Sequence, residues 1–306
     1  MSAVEAGCTL GERGAEMAFR LQPVPGSGLA EFLSRQAPAP SRWIGLAPPE
    51  AAVVAECHVD ARGARALLDA LAALDPMGLV LAPVKAFCGG DALVSVFPGE
   101  VGWQAQAVCR LTEVSEGERF LADALPGLLE ALSEASGGLD CSSEARPGRE
   151  EGMLRLREAV VTVAAREGPR PWKALLGEDA RQMPFALAVS KDLCVLALGS
   201  EAGERVLATA PSLGQGLVPR VSEAHAALLD GLPGEANAWV ILSVGRALSL
   251  LGRARPGLRP GRPVSGSLAL ALRCEGEEAR VSLHIPGEVL GELSAWILAN
   301  RHKDEN

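Results

Sequence analysis

The 306-residue chain has no tyrosine, and its aromatic residues make up only 4 % of the total. A core must therefore come from leucine, valine and alanine, and the apolar fraction of 48 % is large enough to build one. There are four histidines. The chain has no Gly-x-Ser-x-Gly elbow and no Gly-Lys-Ser/Thr phosphate loop. These hydrolase and nucleotide-binding motifs are thus missing, and no catalytic motif is recognised. The seven cysteines are Cys8, Cys57, Cys88, Cys109, Cys141, Cys194 and Cys274. No two stand at C-x-x-C spacing, which removes zinc-ribbon and thioredoxin-type sites. Positive charge is in deficit, with 29 Lys and Arg against 38 Asp and Glu and a net charge of −9. That balance argues against a nucleic-acid partner. No segment reaches the roughly 18 apolar residues of a membrane span. Met1 to Arg13 carries acids and glycines and no apolar run, so no secretory signal is read there. As written the chain reads as cytoplasmic, with the cell envelope as the alternative for a trimmed mature form.

What is present is periodicity. Leu268, Leu270, Leu272 and Cys274 alternate with smaller or polar residues, a turn follows at Glu275-Gly276, and Ala279, Val281, Leu283 and Ile285 alternate again. This is a hairpin with one buried face. After Pro286-Gly287 the period lengthens, and Val289, Leu290, Leu293, Trp296 and Ile297 form a helical stripe. Gly14 to Leu21, Pro25-Gly26 and then Leu29 and Phe32 repeat the end of that unit. Two more units are read at 92–134 and 185–210. Their helices share an echo, Gly117-Glu118-Arg119-Phe120-Leu121-Ala122 and Gly203-Glu204-Arg205-Val206-Leu207-Ala208. Ser115 and Ser200 stand at N-cap positions. Looser strand–helix pairs run from Ala51 and from Ala236, and a strand pair is expected at Met153–Arg157 and Ala159–Val163. In the row Trp103, Ala105, Ala107, Cys109 the cysteine reads as a small buried hydrophobe, as Cys57, Cys194 and Cys274 do elsewhere. The alternate row, Gln104, Gln106 and Arg110, reads as a wet outer surface.

Gln36–Pro49, Ser136–Gly152 and Gly252–Gly266 have linker composition, and the second is the main break. The expected lobes are 1–140 and 150–306, related by internal repeat or merged into one domain. The fold class is α+β, with repeated ββα units forming antiparallel sheet and helices packed on one face. Cys57-His58-Val59-Asp60 places potential ligands close together, but Cys57 and His58 point to opposite faces of a strand. His58 reads as a solvent-facing residue beside an N-cap Asp60. Pro25-Gly26-Ser27-Gly28 reads as a capped helix start and His225 as part of an exposed helical turn. No catalytic, cofactor or metal residue is assigned. Arg253, Arg255, Arg259 and Arg262 lie in a proline-rich stretch without acids and are the candidate partner-binding residues.

Four sequence features, Pro25-Gly26-Ser27, Pro48-Pro49, Gly89-Gly90-Asp91-Ala92-Leu93 and Ser265-Gly266-Ser267-Leu268, carry a resemblance over most of the chain. In them it resembles a bacterial family of duplicated α+β proteins, a domain of unknown function, whose members are often exported. The resemblance implies a duplicated fold in which this chain begins part-way through one repeat. It supplies no catalytic residues. The expected function is a non-enzymatic scaffold or interaction protein whose partner is another protein. The alternative is a carrier of an apolar small molecule, which would show an apolar cavity of several hundred Å³. A third reading, an enzyme, would gather His58, Asp60, His225 or Asp91 in one cleft.

Overall fold

The computed structural model describes residues 3–11, 14–63, 90–99, 102–111, 115, 125–136, 139–151, 154–165, 181–190, 192–248 and 266–301. The protein is α+β, an antiparallel sheet structure with a few helices. Its contacts divide the chain into two units, residues 1–60 with 220–306, and residues 61–219.

The first unit holds β1 (Ala3–Gly11), β2 (Gly14–Gln22), β3 (Val53–His58), β10 (Ala238–Ser243), β11 (Ser267–Glu275) and β12 (Glu278–Pro286). Their lateral order is β1-β2-β12-β11-β10-β3, every pair antiparallel. The second unit holds β4 (Asp91–Gly99), β5 (Gly102–Arg110), β6 (Leu139–Glu151), β7 (Leu154–Ala165), β8 (Arg181–Ser190) and β9 (Leu193–Leu198). Their order is β4-β5-β9-β8-β7-β6, again all antiparallel. Numbered within its own unit, each set reads first, second, sixth, fifth, fourth, third across the sheet. In the chain, the second unit falls between the third and fourth strands of the first.

In the first unit, strand alternation puts Ala15, Met17 and Leu21 of β2 on the same face as Leu283 and Ile285 of β12. Two helices cover this apolar face. Helix α1 (Gly28–Ser34) packs Phe32 and Leu33 on Leu21, Leu272, Cys274 and Ala279. Its Ser27 N-cap accepts a hydrogen bond from the Ala30 amide, as the capped-start reading expects. In the second unit, α2 (Leu125–Ser136) sets Leu125 and Leu129 among Cys109, Cys141, Val161, Leu187 and Cys194. Helix α3 (Ala202–Gly214) lies against β8 and β9, with Val206 and Ala210 buried. Helix α4 (Glu223–Leu229) contacts β11 in the first unit. Helix α5 (Gly287–Arg301) places Val289, Leu290, Leu293 and Trp296 on Ala15, Met17, Leu268, Leu283 and Ile285.

Several expectations are corrected. Helices lie on both faces of the sheet in each unit rather than on one. Gln104 and Gln106 form a buried row, each 4 % exposed. They tolerate burial because α3 and Ser200, two residues before it, supply partners. Gln104 Nε2 donates to Ser200 Oγ at 2.9 Å and Gln106 Nε2 to Thr209 Oγ1 at 3.0 Å, while Arg205 Nε donates to Gln104 Oε1. The Arg205 guanidinium also lies 4.2 Å from the centre of the Phe97 ring. Ser200 is therefore not a cap; α3 starts after Glu201. Met153–Val163 is not a strand pair, since 154–165 is the single strand β7. Within the polar stretch 136–152, Leu139–Glu151 forms β6 instead of a linker, so the boundary read between 140 and 150 falls inside a hairpin. Its charges suit an exposed edge strand, and composition does not separate that from a loop.

Cys109, Cys141, Cys194 and Cys274 are buried, Cys57 is half-buried and Cys8 is exposed; all six are free thiols. Cys88 lies outside the described residues. The Cys109 thiol donates to the Cys194 carbonyl at 3.9 Å. That neighbour, followed by burial, raises the pKa of the Cys194 thiol far above its ordinary value. Cys109→Ser is expected to lower stability by about 1–3 kcal/mol, because a stronger donor is buried with poorer satisfaction. Urea unfolding of both forms measures this, and an unchanged midpoint would contradict the buried-hydrophobe reading.

Candidate functional site

Arg253, Arg255, Arg259 and Arg262 lie outside the described residues, as does most of the 252–266 stretch. Of the other candidates, Cys57, His58 and Asp60 sit at the end of β3. They do not form a ligand set, and no metal-competent cluster of His, Cys, Asp and Glu occurs among the described residues. His58 is 5 % exposed, which corrects the solvent-facing reading. Its Nε2 lies 2.8 Å from Glu56 Oε1, and its ring meets Trp239 edge-on at 5.7 Å. Asp60 is tied by its backbone, its amide donating to the Gln36 side chain at 2.8 Å. The backbone of His58 also donates to Asn237 O at 2.6 Å, so the end of β3 is fixed to the strand beside it.

The residue that organises this region is Glu56, 1 % exposed and on the same strand face as His58. Its Oε1 accepts from the amides of Arg42 at 2.7 Å and Trp43 at 2.9 Å, as well as facing His58. Its Oε2 accepts from Ser41 Oγ at 2.6 Å and the Ile44 amide at 3.1 Å. Burial alone would raise the pKa of the carboxyl. Hydrogen bonds from His58, Ser41 and the Arg42 and Trp43 amides outweigh burial and hold it below the ordinary carboxylate value. The Pro- and Ala-rich stretch at 36–49 is thereby packed onto β3 rather than acting as a linker, with Trp43 and Ile44 buried. Ser41, Glu56 and His58 are not a nucleophilic triad. The carboxylate stands between hydroxyl and imidazole, and its acceptor sites are used by backbone amides. The centre is a loop-fixing device.

His225 lies on α4 and is 4 % exposed, not on an exposed turn. Burial, then the nearby Arg246 cation, lowers the pKa of its imidazole. Beside α4 is an open cleft of about 550 Å³ lined by Glu16, Leu228, Asp230, Ser267, His284 and Glu288, among others. His225 does not line it. The cleft differs from an apolar cavity in carrying three carboxylates at its wall. Asp91 pairs with Arg110 at 3.1 Å, and Asp192 takes the other side of the same guanidinium.

The first strand was not visible to the sequence analysis. Val4, Ala6, Cys8 and Leu10 of β1 face Leu21, Phe19, Met17 and Ala15 of β2 across an unbroken register. The signal was there, because alternate apolar residues run up to Gly11 and resume after Gly14. Every residue of β1 is exposed, Val4 at 68 % and Leu10 at 76 %. Among the described residues β1 pairs with β2 alone, leaving one whole side of its backbone open. No described helix is long and apolar enough to cross a membrane. No family model matches the chain, and no curated protein matches it either.

Proposed function

We propose that the chain is a non-enzymatic interaction protein, a scaffold of two related α+β units that docks other protein chains at the open side of β1. The observation that carries this reading is a nine-residue strand exposed on both faces and paired, among the described residues, on one side only. Such an edge is a template for adding a strand. The duplicated architecture is supported by the shared strand order of the two units. A repeated ββα element within it is supported by the runs β1–β2–α1, β8–β9–α3 and β11–β12–α5. The apolar carrier is the weaker reading, since the cleft beside α4 bears Glu16, Asp230 and Glu288. Capture of proteins from the native source by the wild-type chain and by Val4→Lys/Leu10→Lys tests the reading. A defined protein, a native copy of this chain included, retained by the wild type and lost by the variant is expected. Equal recovery by both, or a stoichiometric apolar molecule with no protein, would overturn it.

A further inference from the structure

We infer that the chain pairs with a second copy of itself through β1, antiparallel about a two-fold axis at Gly7. This rests on the reading of β1 as a docking edge and names its occupant. Among the described residues, the edge is bare in a way that β6 is not. In β1 the only charged residue is Glu5, there is no proline, and the register with β2 runs unbroken from Ala3 to Gly11. The last strand of the second unit, β6, is built the opposite way. It exposes Asp140, Glu144, Arg146 and Arg149, contains Pro147, and shifts register between Arg146 and Arg149. Charge, proline and irregularity are the usual protections of a free edge. β6 has all three, and β1 has only its single charge.

Self-pairing satisfies β1. The register that overlaps all of Ala3–Gly11 sets Val4 opposite Leu10 of the second copy, Ala6 opposite Cys8, and Gly7 opposite Gly7. Apolar meets apolar along one face, beside Phe19 of β2, which is 42 % exposed. On the other face Glu5 meets Thr9, so the two Glu5 carboxylates are not opposite one another. Glu5 is already held by Arg20 of its own hairpin at 3.6 Å. A slip that brought Glu5 against Glu5 would set like charges face to face, and a one-residue slip would mismatch the faces. The two-fold uses each β1 once, so the assembly closes as a dimer and does not run on as a fibre.

Sedimentation of the full chain tests this with two variants at exposed positions, each checked by its thermal melt for an intact fold. The wild type is expected to be a dimer. Ala6→Lys/Cys8→Lys sets lysine against lysine at both seam pairs and should weaken dimerisation at least tenfold. Ala6→Lys/Cys8→Glu sets each introduced lysine against an introduced glutamate and should restore the dimer. A dimer indifferent to the first variant, or one not restored by the second, would overturn the pairing. A wild type monomeric at its highest soluble concentration would overturn it too. Docking of other proteins would then still be decided by the capture experiment, so the two failures are distinguishable.

Discussion

Glu56→Ala is expected to be among the most destabilising single changes in the chain, costing roughly 3–5 kcal/mol, because it removes the acceptor from a buried charged network. The amides of Arg42, Trp43 and Ile44, the Ser41 hydroxyl and the His58 imidazole all turn toward this one carboxylate. Without it the donors must find water or the loop must leave β3, exposing Trp43 and Ile44. Glu56→Gln keeps the shape but points an amide donor at groups that are themselves donors, so it should still lose roughly 2–3 kcal/mol. The centre also sets a pH dependence. The folded pKa of Glu56 lies below its unfolded value of about 4.5. Its contribution is therefore fully present above that value and is lost as pH falls through the folded pKa. Urea unfolding of wild type and Glu56→Gln from neutral pH down to acid measures this. The two curves should converge in acid, and a constant gap across the range would show that the carboxylate charge is not what holds the loop.

Gly14→Ala is expected to cost roughly 2–5 kcal/mol by combining backbone strain with overpacking. Gly14 opens β2 with φ at +134°, a conformation that side chains rarely adopt. A methyl group there would also run into the Ile285 carbonyl of β12, which is backbone and cannot swing away. Gly14 pairs with Pro286 and with Gly11, so the strain falls where the β1–β2 hairpin joins the rest of its sheet. The loss should appear in thermal unfolding together with faster hydrogen exchange in β1. A variant as stable as wild type would mean that the hairpin is not seated on β12 as described.

The terminal hairpin was legible because period-two alternation in Leu268–Cys274 and Ala279–Ile285 is undisturbed by charge on the inner face. So was the switch to a helix at Pro286-Gly287, where the period changes. The helices on the second faces were not legible. A row such as Gln104 and Gln106 reads as wet, and only tertiary structure brings Thr209, Ser200 and Arg205 to satisfy it. β6 was hidden by its exposed charges and proline, which composition assigns to a loop. Glu56 was passed over because a glutamate in a strand usually faces water, and all its partners but His58 come from a segment twelve to fifteen residues away. The nesting of one unit between the third and fourth strands of the other leaves no compositional break. The lobes read at 1–140 and 150–306 follow chain order, whereas the contacts join 1–60 to 220–306.

The central claim is that the open side of β1 is where this protein meets another chain. Hydrogen exchange of residues 3–11 tests it most directly, measured on dilute protein and again on the associated form. The account predicts that the alternate β1 amides left unpaired by β2 slow markedly on association. Unchanged exchange in β1, with new protection appearing only around the cleft beside α4 or elsewhere, would contradict it.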